Sequence, residues 1–534
     1  VAAAKGGLNV EMLQKQLPRL KEVPFDSRRR MMSVVLDWQK SELWPDAAPC
    51  LLFTKGAPVE VVRHCQFILR NGGVEALSAA DGDGVVAAND DLARQGYRVL
   101  GVAARRGDRT LIDLKAQDLE QQLIFIGLVA MFDPPRPEVP VAIDQCHAAG
   151  VKVTMVTGDY GLTAEAIARQ VRLVDRGAPV RVVTGDGLGH LSDAQLRQIL
   201  KYRTGLVFAR MSPEHKLRLV QAYKANGEIV AVTGDGVNDA PALRAANIGI
   251  AMGLNGTDVA REAADIVLTD DNFATIVSAI EQGRAVYQNI RKFITYILAS
   301  NVAELVPFLV MVALKIPPAL VIMQILAVDL GTDMLPALAL GVEQAEPGLL
   351  RQPPRAKDQA LLDRSVMLRA YCFLGLIEAV LSMSAFFLVW WSHGYGLAEL
   401  QAVSPKILSH AADAATVGIY AQATTMTLAA IVACQDGNVF ACRSERTSIR
   451  KIRLFSNPLI WLAIAVEWML IISITQLASL QQVFSTAPIV GWHWLLLLAC
   501  PPIMLGAEEI RKAFLRQPRR SIPPSTHGGR TAIH

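Results

Sequence analysis

The chain has 534 residues, of which 52% are hydrophobic and 19% charged, and its formal net charge is +4. So small a charge gives no ground for nucleic-acid binding. The apolar excess is more than an ordinary soluble protein carries and directs the search to membrane-length segments. The seven cysteines, at 50, 65, 146, 372, 434, 442 and 500, form no Cys-x-x-Cys pair, so neither a zinc site nor a disulfide framework is indicated. The sequence starts at Val1 and shows no charged-then-apolar leader, so it is expected to be a fragment or one piece of a split protein.

In chain order, residues 1–115 alternate short apolar runs with charged turns and read as mixed α and β. Residues 116–275 carry short β-branched apolar runs at 123–131, 151–156, 205–209 and 229–232, separated by helical patterns such as 163–171 and 192–201. Apolar strands alternating with helices predict a parallel sheet covered on both faces. Such sheets bind ligands in the loops at the carboxyl ends of their strands.

Six apolar spans follow, near 290–314, 317–341, 367–392, 414–434, 458–480 and 491–508. Each approximates the roughly 20 residues that cross a bilayer. Basic residues gather in alternate loops: Arg351, Arg355, Lys357 and Arg364 after the second span, then Arg443, Arg446, Arg450, Lys451 and Arg453 after the fourth. The tail adds Arg511, Lys512, Arg516, Arg519 and Arg520, while the opposite loops hold little beyond Lys315 and Lys406. The positive-inside rule places the soluble part, these loops and the tail in the cytoplasm of a multi-pass protein, for which the plasma membrane is the expected location.

The most specific segment is Thr233-Gly234-Asp235-Gly236-Val237-Asn238-Asp239-Ala240-Pro241, which follows an apolar strand. Its glycines allow a tight turn beside a charged ligand, and its carboxylates and amide are hard oxygen donors suited to Mg²⁺ with phosphate. A second segment, Met155-Val156-Thr157-Gly158-Asp159, also closes a strand. Between the two lie Phe208-Ala209-Arg210, Pro213 and Lys216. Asp133-Pro134-Pro135-Arg136 reads as a hinge, because two prolines fix the backbone.

These segments in this order resemble the P-type cation-transporting ATPases of the haloacid dehalogenase superfamily. The resemblance is closest to type II pumps of the calcium and sodium/potassium kinds and covers nearly the whole chain. It implies that Asp235 ligates Mg²⁺ with Asn238 and Asp239 in support, that Thr157, Gly158 and Asp159 meet the transferred phosphoryl group, and that Lys216 and Arg210 offset its charge. Asp133 and Arg136 would mark the junction of the nucleotide and phosphorylation domains. Phe53-Thr54-Lys55-Gly56-Ala57-Pro58 is similar to the family's nucleotide segment, with Val59 where a glutamate is usual and Glu60 one place later. Lys55 and Gly56 would face ATP. The stretch Pro24-Phe25-Asp26-Ser27-Arg28-Arg29-Arg30 would stack adenine on Phe25, with Arg30 where lysine is frequent, and Arg98 would reach the phosphates.

Carboxylates inside membrane spans cost about 2.5–3.5 kcal/mol each at a helix centre and are retained mainly for function. Asn301 and Glu304 stand three apart in the first span, and Asp329, Thr332 and Asp333 share a face of the second. No Lys or Arg in the core of these spans would pair with them, which suits a hard cation such as Ca²⁺, Na⁺ or K⁺. The resemblance adds Gln435 and Asn438 as ligands at the end of the fourth span and leaves Asp436 uncertain. It associates an aspartate at 329 with the sodium/potassium branch. Glu467 would serve an additional ion site, and Glu378 receives no role.

The expected fold is therefore a partial α+β nucleotide-binding domain (1–132), an α/β haloacid-dehalogenase-like phosphorylation domain (133–285), an all-α six-helix transmembrane bundle (286–512) and a disordered tail (513–534). The family's phosphorylated aspartate lies in an Asp-Lys-Thr-Gly-Thr motif, which this sequence does not contain; the actuator-domain Thr-Gly-Glu loop and the first four membrane helices are missing as well. The implied function is ATP-driven cation transport with Mg²⁺ and ATP, completed by an N-terminal half in the same or a separate chain, in contact with lipid and without nucleic acid. The alternative is a non-catalytic truncated or split-pump module that binds nucleotide or partners a complete pump. A membrane-tethered phosphatase of the same superfamily would need the same nucleophilic aspartate.

Overall fold

The computed structural model describes residues 2–26, 28–38, 48–174, 177–202, 205–356 and 359–516. Ser27, Lys357, Arg519, Arg520 and the tail beyond 516 lie outside the described residues. The chain divides into two compact units, 1–277 and 278–534.

The first unit opens with seven strands: β1 (Arg19–Asp26), β2 (Met31–Asp37), β3 (Cys50–Gly56), β4 (Cys65–Arg70), β5 (Gly73–Ala76), β6 (Arg98–Gly107) and β7 (Leu123–Met131). They form one sheet in the order β1-β2-β3-β6-β7-β4-β5, antiparallel except where β4 runs parallel to β7. Val35, Leu52, Val61, Leu119, Leu123 and Phe125 fill its core. The run at 123–131, expected in the parallel sheet, belongs here instead and pairs antiparallel with β6. A short apolar run carries no sign of its partner's direction, and the last three residues of β7 are exposed, as a half-covered strand allows.

The expected parallel sheet is present as two. β8 (Met155–Val156), β9 (Arg181–Thr184) and β10 (Leu206–Ala209) pair parallel in the order β8-β10-β9. β11 (Ala231–Gly234), β12 (Ile248–Met252) and β13 (Ile266–Leu268) pair parallel in chain order. β8 and β11 each form an edge. Helices Gly161–Gln170, Asp193–Tyr202, Pro213–Ala225 and Ala240–Ala245 connect the strands. The helix at 213–225 starts with a capping box, in which the Ser212 hydroxyl accepts from the His215 N–H, and has Pro213 in its first turn.

In the second unit the six expected spans appear as helices. They are α1 (Phe273–Leu314, which begins before the unit boundary), α2 (Ile322–Gly341), α3 (Arg364–Ser392), α4 (Ala414–Cys442), α5 (Pro458–Gln476) and α6 (His493–Arg516). Among the described residues, α1 to α5 are long and apolar enough to cross a membrane, five rather than the expected six. α6 has Pro501 and Pro502 mid-helix and Glu508, Glu509, Arg511 and Lys512 in its final turns, which interrupt its apolar run. Short helices at Leu397–Leu408 and Ala478–Phe484 were not expected.

Two boundaries move in ways that affect the site. α2 starts at Ile322 rather than 317, and its middle, Val328–Thr332, widens into a π-turn closed by the Asp333 N–H donating to the Val328 carbonyl at 2.9 Å. Such turns are frequent at functional sites. α4 continues through Cys442, so Gln435 and Asn438 lie inside the helix and not at its end. Burial explains the extension: every residue from Ala423 to Cys442 is buried, so a polar break there would leave backbone groups unpaired. At the other end of this stretch Arg443 is wholly buried and pairs with Glu343 at 2.7 Å, while buried Arg369 pairs with Glu508 at 2.7 Å.

Candidate functional site

Within the first unit, two loops at strand ends carry the phosphate-type motifs. After β8, the Thr157 N–H donates to the Phe208 carbonyl at 2.8 Å and the Met211 N–H donates to the Thr157 carbonyl at 3.0 Å. The Thr157 hydroxyl and Asp159 bond to each other, hydroxyl to Oδ2 at 3.0 Å and Asp159 N–H to Oγ1 at 3.1 Å. The Arg210 N–H donates to the Asp159 carbonyl at 3.0 Å, so the loops after β8 and β10 are laced together. A Cβ on Gly158 would meet nothing within 4 Å, which leaves that face of the loop open.

After β11, a Cβ on Gly234 would collide with the Asp239 side chain. Glycine there lets the carboxylate fold back under the turn, where it accepts from the Gly236 N–H at 3.2 Å and from Lys216 Nζ at 2.5 Å. Asp239 is buried, whereas Asp235 and Asn238 are exposed on the turn. Two exposed hard oxygen donors beside an anchored third fit Mg²⁺. Arg210, at φ +55, lies over the Tyr160 ring with Cζ 4.9 Å from its centre. Burial, and then the charge of Arg30, push the Arg210 guanidinium down from its ordinary range. Burial and the hydrogen bond to Asp90 raise the Tyr160 hydroxyl.

The nucleotide-type residues are arranged as follows. Phe25 is 63% exposed at the end of β1, an unusual cost for a ring with nothing to cover it, and Lys55 is exposed on β3. An exposed ring and an exposed lysine on one sheet are group types that suit a purine and its phosphates. Gly56 is a packing residue: a Cβ there would lie 2.5 Å from the Arg30 carbonyl. Arg30 pairs with Glu60 at 3.4 Å and Asp186 at 3.7 Å, so the displaced glutamate has a partner. Arg98 reaches to 4.0 Å from Asp159, which joins the start of β6 to the loop after β8. Asp133 is exposed, and Arg136 donates to the Asp270 carbonyl at 3.1 Å.

In the second unit, one ligand atom from each of Glu304, Asp329 and Asp333 falls within 4.8 Å of the others. The π-turn widens the helix where Asp329 and Thr332 sit. Asp333 is held by the Ser300 hydroxyl at 3.1 Å and the Gln435 amide, and that amide also donates to Ser300 at 2.7 Å. Thr332 donates to Gln435 Oε1 at 3.2 Å. Glu304 Oε1 and Asn438 Nδ2 are buried without a partner. Asn301 is exposed, so the structure does not gather all five expected donors of α1 and α2 equally. No Lys or Arg forms an ion pair with the three carboxylates among the described residues. Three close carboxylates with no cationic partner are costly unless a cation or protons join them.

Ser300 was not singled out from sequence. It stands four residues before Glu304, so helical spacing puts it on that face, and a lone serine carries no stronger signal. Asp436 accepts from the Trp468 indole at 2.6 Å, a contact no linear pattern reveals. Glu467 and Glu378 are wholly buried with both carboxylate oxygens unpartnered.

The geometry defines a haloacid-dehalogenase-type head in a chain with a carboxylate cluster among apolar helices. Residues 317–514 match the family described as cation transporting ATPase, C-terminus, and residues 1–138 match P-type ATPase, cytoplasmic domain N. Residues 74–247 and 216–280 match haloacid dehalogenase-like hydrolases. The chain belongs to the P-type cation-transporting ATPases. Its relatives include a calcium-transporting ATPase of Bacillus subtilis, 38% identical over 517 residues, 96% of this chain and 54% of the relative. Calcium-transporting ATPase 1 of Bacillus cereus is 35% identical, covering 95% of this chain and 54% of the relative. The sodium/potassium-transporting ATPase subunit alpha of Tetronarce californica is 37% identical over 428 residues, 74% of this chain and 41% of the relative. The chain spans about half the length of the curated relatives it matches.

Proposed function

We propose that this chain is the C-terminal part of a type II, ATP-driven cation pump, with the head and loops cytoplasmic and the transported ion held by the second unit. The observation that carries this is the convergence of Glu304, Asp329 and Asp333 within 4.8 Å, inside apolar helices and without a basic partner among the described residues. Ser300 and Gln435 orient Asp333, while Thr332 and, by the family resemblance, Asn438 would add neutral oxygens to the set. Gathered charge and hard oxygen donors suit Ca²⁺ or Na⁺ and K⁺; Asp329 favours the monovalent ions slightly.

In the head, Asp235 and Asn238 would hold Mg²⁺, which supplies charge stabilisation to phosphoryl transfer when bound. Lys216, fixed by Asp239, places a cation beside the loops after β8 and β11, and Thr157 and Gly158 offer a hydroxyl and a backbone N–H to phosphoryl oxygens. β8 and β11 both present edges suited to a parallel strand. A strand bearing the nucleophilic aspartate, from the rest of the pump, would pair with these edges. Phe25, Lys55, Arg30 and Arg98 would hold ATP, with Asp133 and Arg136 at the hinge.

The test is phosphorylation by ATP labelled in its γ-phosphate, in membranes from cells expressing the gene that encodes this chain. An acid-stable, hydroxylamine-sensitive label on the product that depends on Ca²⁺ or on Na⁺ supports the pump. Binding of ATP with no label under any cation would instead identify the non-catalytic module.

A further inference from the structure

Glu378 is the buried carboxyl that the site above does not use. It lies on α3, is 0% exposed, and neither oxygen has a hydrogen-bond partner. Gly375, one turn earlier on the same face, marks where α3 touches α1: a Cβ there would lie 2.7 Å from Val302 Cβ and 2.8 Å from the Ala299 carbonyl. One span returns between α1 and α3, so the two run in the same direction. Three residues of rise, about 4.5 Å, therefore bring Glu378 level with the stretch of α1 that holds Glu304. The ionisable groups whose charge acts on Glu378 are Asp333, Glu304 and the Cys500 thiol. Of the two arginines on its own helix, Arg364 stands at the first residue, about 21 Å along the axis, and Arg369 turns its Nη2 to Glu508 at 2.7 Å and the Ala441 carbonyl at 3.0 Å.

A full carboxyl buried level with Glu304, with no hydrogen bond to either oxygen, has no structural use in packing: an apolar side chain of equal size would fill the space at lower cost. We propose that Glu378 is a cation-binding residue, a fourth carboxylate that extends the Glu304, Asp329 and Asp333 cluster onto α3 and favours a divalent ion. This rests on the second unit being the transport site. Added ligand charge raises affinity for a hard divalent cation more than for a monovalent one.

The experiment is calorimetric titration of the 534-residue chain in lipid nanodiscs with Ca²⁺ alone and with Na⁺ alone. E378Q, which keeps size and removes charge, weakens Ca²⁺ binding by at least about tenfold and Na⁺ binding less, while E378D stays within about threefold of the wild type. E378M separates a ligand from a structural group. It unfolds at a higher temperature than the wild type without cation, and Ca²⁺ raises its unfolding temperature less. Ca²⁺ binding by E378Q equal to wild type, with E304Q impaired, overturns this inference and leaves the transport site standing. A wild type that binds neither ion removes the site and this inference with it.

Discussion

Lys216 Nζ lies 2.5 Å from Asp239 Oδ1, with both side chains mostly buried. The pair ties the helix after β10 to the turn after β11, two parallel sheets that share no strand. Lys216→Met leaves Asp239 partly buried without its cation, so the first unit should lose about 1–3 kcal/mol in urea unfolding. In Lys216→Met/Asp239→Asn part of that loss returns, because the stranded charge is gone. Purely additive effects in the double-mutant cycle would show that the contact contributes nothing.

Phe25 is two-thirds exposed and covers no core residue, so Phe25→Ala should change stability by less than about 0.5 kcal/mol. Its effect should fall on the nucleotide: loss of a stacked ring lowers affinity by about 1–3 kcal/mol, tenfold or more. Titration with a fluorescent ATP analogue checks this. Unchanged affinity would place adenine elsewhere.

Burial pushes the Cys65 thiol up to about 12 from an ordinary 9.0, and its Sγ lies 3.1 Å from the Val61 carbonyl. The folded state holds this proton more tightly than the unfolded chain does. The associated stability is therefore complete below pH 9.0 and declines as pH rises from there towards 12. At pH 8 Cys65 should resist iodoacetamide in the native chain and react once the chain is unfolded. Peptide mass mapping before and after urea reads both states, and native labelling at pH 8 would contradict it.

Asp333 accepts two hydrogen bonds and is buried, whereas Asp329 is exposed on the π-turn. Asp333→Asn should remove cation binding and disturb Gln435 and Ser300, while Asp329→Asn should reduce affinity, more for Ca²⁺ than for Na⁺, with no loss of thermal stability. Equal effects of the two substitutions on stability would contradict this division.

Sequence shows a motif best where one short segment holds a whole function. The run Thr233–Asp239 announces a turn with oxygen donors, and the structure has that turn, because two glycines and a following Pro241 admit few other conformations. The order of strands was less visible. β7 is apolar enough for a parallel sheet, yet its partner is decided by chain segments far away, so it joined the antiparallel sheet. In the membrane unit, spacing placed Glu304 with Asp333 on facing helices, but not the π-turn at Val328–Thr332 nor the continuation of α4 beyond Gln435. Both depend on burial by neighbouring helices. Ser300 was hidden, and Glu378 visible but without a role, for the same reason: each acquires meaning from what packs against it.

The most direct measurement is ATP-driven uptake of radiolabelled calcium, and separately sodium, into sealed vesicles from cells expressing the gene that encodes this chain, intact or with Asp333→Asn. The account predicts uptake of one of these ions that requires ATP and Mg²⁺ and disappears in Asp333→Asn while the protein remains folded in the membrane. Uptake that survives the loss of the Asp333 charge would contradict it.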